Sequence, residues 1–191
     1  ISNWRVDGTS SAVFNMPFET NISSGTTNIR EYSTLGQNGT LSGNTKWRST
    51  NGIRGGVYEF DETDAINTSA DSDLSFTNRS NFTIVAWVNL TNSRLTGSIR
   101  NDIILSHTNA TSTLTDANTY DIYLQGDGTN WNAAFIVKGN VGGTSVENEV
   151  ICLSATVVNR TSLIVARWET INSSSANQSI WSNGIICRST T

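Results

Sequence analysis

Residues 54–93, "RGGVYEFDETDAINTSADSDLSFTNRSNFTIVAWVNLTNS", hold a clear strand signal and a dense acidic group. Phe82 to Leu90 is a short apolar, β-branched and aromatic run bounded by Asn, Ser and Thr, which is the pattern of a β-strand. Ahead of it, Glu59, Asp61 and Asp64 stand close together. That group is open to three readings: a catalytic carboxylate set, a cation site, or the acidic edge of a sandwich.

Runs of the same kind recur at Ala12 to Phe18, Gly56 to Phe60, Asp102 to His107, Tyr120 to Gln125, Ala133 to Val137, Val150 to Val157, Ser162 to Trp168 and Ser179 to Cys187. Between them, "GQNGTLSGN", "NVGGTS" and "INSSSANQS" read as turns and loops. No segment sustains a 3.6-residue apolar period with caps, so almost no helix is expected. Many short strands with polar turns predict an all-β, two-sheet antiparallel sandwich. Residues 1–191 read as one domain, with no repeat or linker. Proline occurs only at Pro17, so strand edges must be protected by other means.

Apolar residues make up 36% of the chain, and six tryptophans and six phenylalanines are enough to build one core. Charged residues are 15% and the net charge is -4, so solubility comes mainly from Asn, Ser, Thr and Gly. Lys46 and Lys138 are the only lysines and the arginines are scattered, which argues against a nucleic-acid partner. No apolar stretch approaches the ~18 residues that span a bilayer, so no membrane insertion is expected. The chain opens on Ile1 rather than Met and reads as a processed or excerpted product, so a missing export signal does not bear on compartment.

Sequons speak to compartment more directly. Asn-x-Ser/Thr occurs at Asn21, Asn38, Asn67, Asn78, Asn81, Asn89, Asn109, Asn159, Asn172 and Asn177. Chance would give about six, so ten is a modest excess that fits an exported, cell-surface glycoprotein. Asn21, Asn38, Asn109, Asn172 and Asn177 fall in turn-like stretches where a glycan projects freely, whereas Asn81 and Asn89 bound a strand. Cys152 and Cys187 are the only cysteines, and in a secreted chain such a pair favours a disulfide over two small buried hydrophobes. Two thiols with the single His107 lack zinc-site spacing.

The order of motifs "AVFNMPFETN", "EYSTLGQNGTLSG", "RGGVYEFDETDAI", "FTIVAWVNL" and "ARWETINSSSANQSIWSNGIIC" resembles the laminin-G-like, concanavalin-A-like jelly-roll domains. The matching residues are Gly39, Thr40 and Leu41; Gly55, Gly56, Phe60 and Asp61; Phe82, Thr83, Trp87 and Val88; and Trp168, Trp181, Asn183 and Gly184. Glu31 stands for the acidic residue at the start of the glycine loop, while Glu62 replaces the glycine usual after Phe-Asp. The resemblance implies a jelly roll over 1–191, with residues 1–13 an N-terminal extension or donor strand and the family's final strand missing.

Glucanases of that superfamily carry a Glu-x-Asp-x-x-Glu strand, and "EFDETD" imitates its spacing with Glu59, Asp61 and Asp64. Retaining hydrolysis needs two carboxyl groups about 5–5.5 Å apart, and residues i and i+2 of a strand approach that. Against it, the third acid is a shorter Asp at a turn, the register buries Phe60, and only Tyr58 is near to stack on a sugar. No catalytic residue is therefore assigned. His107 has no Ser or Cys nucleophile motif beside it. Calcium is the cofactor the pattern would take: Asp61, Asp64, Asp71 and Asp73 flank an oxygen-rich loop, and "QGDGTN" offers a second set. The competing reading is a solvated acidic loop.

Trp87, Trp168 and Trp181 lie in strand patterns and are expected in the core. Trp4, Trp47 and Trp131 sit in polar surroundings, and Trp47 and Trp131 are the candidates for stacking on a glycan. With no catalytic set, the resemblance implies a non-enzymatic extracellular recognition or adhesion module that binds a glycan or a cell-surface protein. The alternative is a glycosylated structural subunit of an extracellular filament or coat that self-associates by strand exchange.

Overall fold

The strand expected at Phe82 to Leu90 forms as Phe82–Asn89, and its side chains alternate between a half-buried and an exposed face. The computed structural model describes residues 5–6, 9–10, 12–18, 21, 28–33, 35–53, 55–61, 63–69, 74, 81–91, 100–107, 119–126, 131–141, 144–156, 158–172 and 175–190. The chain divides into two units, Ile1–Asp73 and Leu74–Thr191.

The first unit is built from short strands: β1 (Arg5–Val6), β2 (Thr9–Ser10), β3 (Asn28–Ile29), β4 (Gly39–Ser42), β5 (Lys46–Arg48), β6 (Val57–Glu59) and β7 (Ala65–Asn67). They pair as β1-β2, β3-β4-β7 and β5-β6. Residues 5–6 and 9–10, inside the segment considered as a donor strand, pair with each other. Glu31, only 4% exposed, organises the next stretch. Its carboxylate accepts hydrogen bonds from the backbone N–H groups of Asn15 (2.7 Å), Ser33 (2.7 Å) and Gly36 (3.0 Å) and from the Ser33 hydroxyl (2.8 Å). Several donors on one buried carboxylate offset its desolvation. This corrects the strand expected over Ala12 to Phe18: the Asn15 N–H goes to a side chain, so no ladder forms there. Phe60 is corrected too, being 50% exposed, while Tyr58 is the buried member at 5% and meets Phe18 edge-on at 5.7 Å.

The second unit is a sandwich of two four-stranded antiparallel sheets. Its strands are β8 (Phe82–Asn89), β9 (Arg100–His107), β10 (Thr119–Gly126), β11 (Trp131–Val141), β12 (Thr144–Thr156), β13 (Thr161–Asn172), β14 (Ser175–Ser182) and β15 (Ile185–Thr190). One sheet is the meander β12-β11-β10-β9, and the other runs β15-β14-β13-β8. Period-2 alternation sends every second side chain inward. Ile122, Phe135, Ile164 and Ile180 from both sheets are fully buried, each contributing about 1.5–3 kcal/mol by removal from water. Gln178 crosses this core from β14, its amide N–H groups reaching Phe135 O (2.7 Å) and Asn148 O (3.2 Å) of the opposite sheet.

The run read as one strand from Ser179 to Cys187 is a hairpin. Asn183 and Gly184 turn it with φ of 50° and 86°, the two positive values that a two-residue type I′ loop requires. The turn sets Cys187 of β15 beside Cys152 of β12, and they form a disulfide with Cα atoms 5.4 Å apart. The bond closes one side of the sandwich by joining an edge strand of each sheet. Among the described residues, no helix is long and apolar enough to cross a membrane.

Candidate functional site

The acids singled out from the sequence are engaged in local structure. On the β5-β6 hairpin Lys46 lies opposite Glu59 and Arg48 opposite Val57, so Glu59 reaches diagonally to an ion pair with Arg48 at 2.9 Å. Asp61 accepts from the Thr63 backbone N–H (3.1 Å) and hydroxyl (3.0 Å), which hold its carboxyl below the ordinary range. Asp64 accepts from the N–H groups of Asn44 and Asp61, and its own N–H returns to Asp61 O. The outcome is a locked turn ahead of β7. Asp71, Asp73 and residues 127–130 of "QGDGTN" lie outside the described residues. Among the described residues, no group of three or more His, Cys, Asp or Glu side chains is placed to hold a metal ion.

The tryptophans redistribute. Trp131 is 3% exposed and packs in the sandwich core, so it has no face for a sugar to stack on. Its position opens β11, and the inward alternation of that strand buries it. Trp47 is half-buried: its Nε1–H points to Phe18 O at 3.3 Å, and its ring lies so close over Gly56 that a Cβ there would come within 2.5 Å of it. Trp168 is buried as expected, but Trp87 is 57% exposed. The parity of β8 sends Phe82, Ile84, Ala86 and Val88 inward and leaves Trp87 outside. Trp4 lies outside the described residues.

Trp87 is one of a set. Across the β15-β14-β13-β8 sheet, Ile186, Trp181, Val165 and Val85 are direct cross-strand partners and form one row on the outer face. Leu163 and Trp87 form the adjoining row. Val85 is 46% and Ile186 39% exposed, and Leu163, Val165 and Trp181 are half-buried. At ~4.8 Å between strands the four-residue row spans roughly 14 Å. A shallow depression of about 330 Å³ on this face is lined by Leu163, Val165, Arg167, Trp181 and Gly184. Its charge is balanced, because Arg167 pairs with Glu169 at 2.8 Å. The Asn183 side chain pins the hairpin beside it, accepting from Leu163 N–H (3.2 Å) and donating to Ser162 Oγ (3.1 Å).

Sequons bracket the same face. Asn89 lies opposite Thr161 at one end of β13 and Asn177 opposite Glu169 at the other, with Leu163 and Val165 between. Asn172 and Asn177 were expected in a turn but belong to β13 and β14. Asn21, Asn38, Asn67, Asn81, Asn89 and Asn159 are exposed and Asn177 is half-buried, while Asn78 and Asn109 lie outside the described residues.

The outer face of the β12-β11-β10-β9 sheet differs. Tyr123, Ala134 and Ile136 are buried there, and the Tyr123 hydroxyl donates to Glu149, whose carboxyl is pushed up by burial. On the inner face of that sheet, where Tyr120 belongs to the shared core, the His107 ring stacks on it with centroids 5.1 Å apart. Burial lowers the His107 pKa against the pull of Asp121, and burial pushes Tyr120 up to about 12. No protein-family model matches this chain, and neither a curated protein nor a solved structure matches it.

Proposed function

We propose that this chain is a non-enzymatic extracellular recognition module, and that it binds an apolar surface patch of another protein through the outer face of the β15-β14-β13-β8 sheet. One observation carries the reading. In a chain made soluble by Asn, Ser, Thr and Gly, six apolar side chains, two of them tryptophans, share one face. A contiguous apolar patch with a polar rim marks an interaction surface rather than a packing residue of the fold. Its centre is aliphatic and its single ion pair is neutral, so it complements an uncharged apolar surface better than a sugar, which needs several hydrogen-bond partners beside each stacked ring. The disulfide and the sequons fit the extracellular setting, and glycans at Asn89 and Asn177 would stand at the ends of the face with its centre open. The laminin-G-like motifs point the same way, toward a binding rather than a catalytic domain.

The test is binding of labelled chain to intact cells of its source. Saturable binding that is lost with Trp181→Ser, and lost after the cells are treated with protease, supports a protein partner. Loss after glycosidase treatment alone assigns a glycan instead. Equal binding by wild type and by a Trp87→Ser, Trp181→Ser double variant overturns the role of this face.

A further inference from the structure

Asn stands directly before Gly three times in the sequence, at Asn38–Gly39, Asn51–Gly52 and Asn183–Gly184. Asparagine is thermolabile, and most so before glycine, which has no Cβ to shield its backbone nitrogen from the neighbouring side chain. The glycine nitrogen adds to the asparagine Cγ, the bond from Cγ to Nδ2 breaks, and ammonia leaves with the glycine amide proton. Water then opens the cyclic imide at either carbonyl, which puts aspartate or isoaspartate in place of asparagine. The side chain must swing onto the next nitrogen, so a fold slows the step wherever hydrogen bonds hold the amide or the backbone.

Two of the three asparagines are held by their side chains. Asn183 accepts from the Leu163 N–H at 3.2 Å, donates to Ser162 Oγ at 3.1 Å, and sends its own N–H to Leu163 O at 3.2 Å. Asn38 accepts from the Glu31 N–H at 3.0 Å, its own N–H goes to Gly36 O at 3.0 Å, and Gly39 is buried at the start of β4. Asn51 differs. It lies in the loop between β5 and β6, is exposed, and its side-chain amide makes no hydrogen bond among the described residues. The Gly52 N–H donates to Gly55 O at 3.0 Å, one bond inside the loop and not part of a ladder. The loop itself requires both residues. Asn51 has a φ of 79°, a left-handed value that Asn adopts more readily than most residues, and a Cβ on Gly52 would collide with the carbonyl oxygens of Gly55 and Gly56.

We propose that Asn51 is a self-modification site, converted to aspartate and isoaspartate through Gly52, while the fold preserves Asn38 and Asn183. Water is the only reagent. The product adds one negative charge to an exposed loop, and isoaspartate also lengthens the main chain beside Gly56, on which the Trp47 ring packs. Asn183 turns the hairpin beside the outer face of the β15-β14-β13-β8 sheet, so its protection keeps that face intact as the chain ages.

The modification lies in the first unit and does not depend on the recognition reading. The experiment ages the full chain with its disulfide formed, made in a host that adds no N-glycans so that Asn38 is bare. Peptide mapping by mass spectrometry, with isoaspartate resolved by chromatography, follows the three sites in mildly alkaline buffer. In the folded chain Asn51 should be lost severalfold faster than Asn38 or Asn183, since each hydrogen bond that must open slows the step roughly fivefold. In denaturant the three rates should converge. Asn51→Gly, which suits the positive φ, should slow the appearance of acidic species on ion exchange severalfold and leave the melting curve unchanged. Loss at Asn38 or Asn183 as fast as at Asn51 in the folded chain, or acidic species forming at an undiminished rate in Asn51→Gly, overturns the assignment. So does a folded chain that keeps Asn51 intact while the unfolded chain loses it.

Discussion

The two sheets of the second unit share one core and differ in what they turn outward. The β12-β11-β10-β9 sheet turns Tyr123, Ala134, Ile136 and Ile151 outward as a largely buried cluster, with Ile103 and Leu153 exposed on its edge strands. The β15-β14-β13-β8 sheet turns Val85, Trp87, Val165, Trp181 and Ile186 outward and leaves them partly or largely exposed. Inward positions on both are alike, because a shared core demands apolar volume from each. The difference lies in the outward residues of the central strands: Tyr123, Ala134 and Ile136 are buried, whereas Leu163, Val165 and Trp181 are only half-buried. Outward residues are free of the packing demand, so an apolar set there points to contact with something else.

The largest effect is expected where the sheets are alike. Phe135 is fully buried between them, so Phe135→Ala should cost about 3–5 kcal/mol by denaturant melts, with both sheets unfolding together. Separate transitions for the two sheets would break the picture of one core. Next comes the disulfide. Replacing Cys152 and Cys187 together by Ser opens a link spanning 35 residues, worth about 3–4 kcal/mol in the chain-entropy model. The loss should appear in thermal melts under oxidising conditions and vanish when wild type is reduced.

Much of this fold was legible from sequence. The runs at Asp102 to His107, Tyr120 to Gln125 and Ala133 to Val137 all lie within observed strands, since half-buried strands advertise themselves by apolar content. What stayed hidden was polar. "INSSSANQS" reads as a loop but contains the end of β13 and the start of β14, because those outward positions need no apolar residue. "GQNGTLSGN" likewise hides β4. Ala12 to Phe18 failed for the opposite reason: its apolar content was right, but the Glu31 carboxylate captured its backbone. The candidate site was hardly legible. Trp87 and Trp181 look like core residues in a strand pattern, and only the cross-strand register shows that they share the outer face. The turn-like surroundings of Trp131 concealed its burial in the same way.

Smaller effects should separate the sheets by pH. The folded state holds His107 below its ordinary value of 6.5, so the unfolded chain takes up the proton first. Stability from this group is present above pH 6.5 and is lost as pH falls through the folded value. Glu149 behaves oppositely: raised above 4.5, its contribution is full below pH 4.5 and is lost as pH rises through the folded value. Melting temperature against pH should therefore lose its acid-side drop below 6.5 in His107→Gln, and Glu149→Gln should remove the decline that begins above 4.5. Substitutions on the exposed face of the other sheet should leave both slopes alone.

The smallest effect on stability is expected at that face. Trp87→Ser and Val85→Thr should shift unfolding by no more than about 0.5 kcal/mol, because exposed positions contribute little to the fold. A loss of several kcal/mol would make Trp87 a packing residue and remove the reason for assigning it to binding.

Tryptophan-resolved oxidative footprinting of the chain, free and in the presence of the cells used in the binding test, tests that assignment most directly. Trp87 and Trp181 should react in the free chain and be protected when bound, while Trp131 and Trp168, buried in the core, stay unreactive in both states. Equal reactivity of Trp87 and Trp181 in free and bound chain would contradict a binding role for this face.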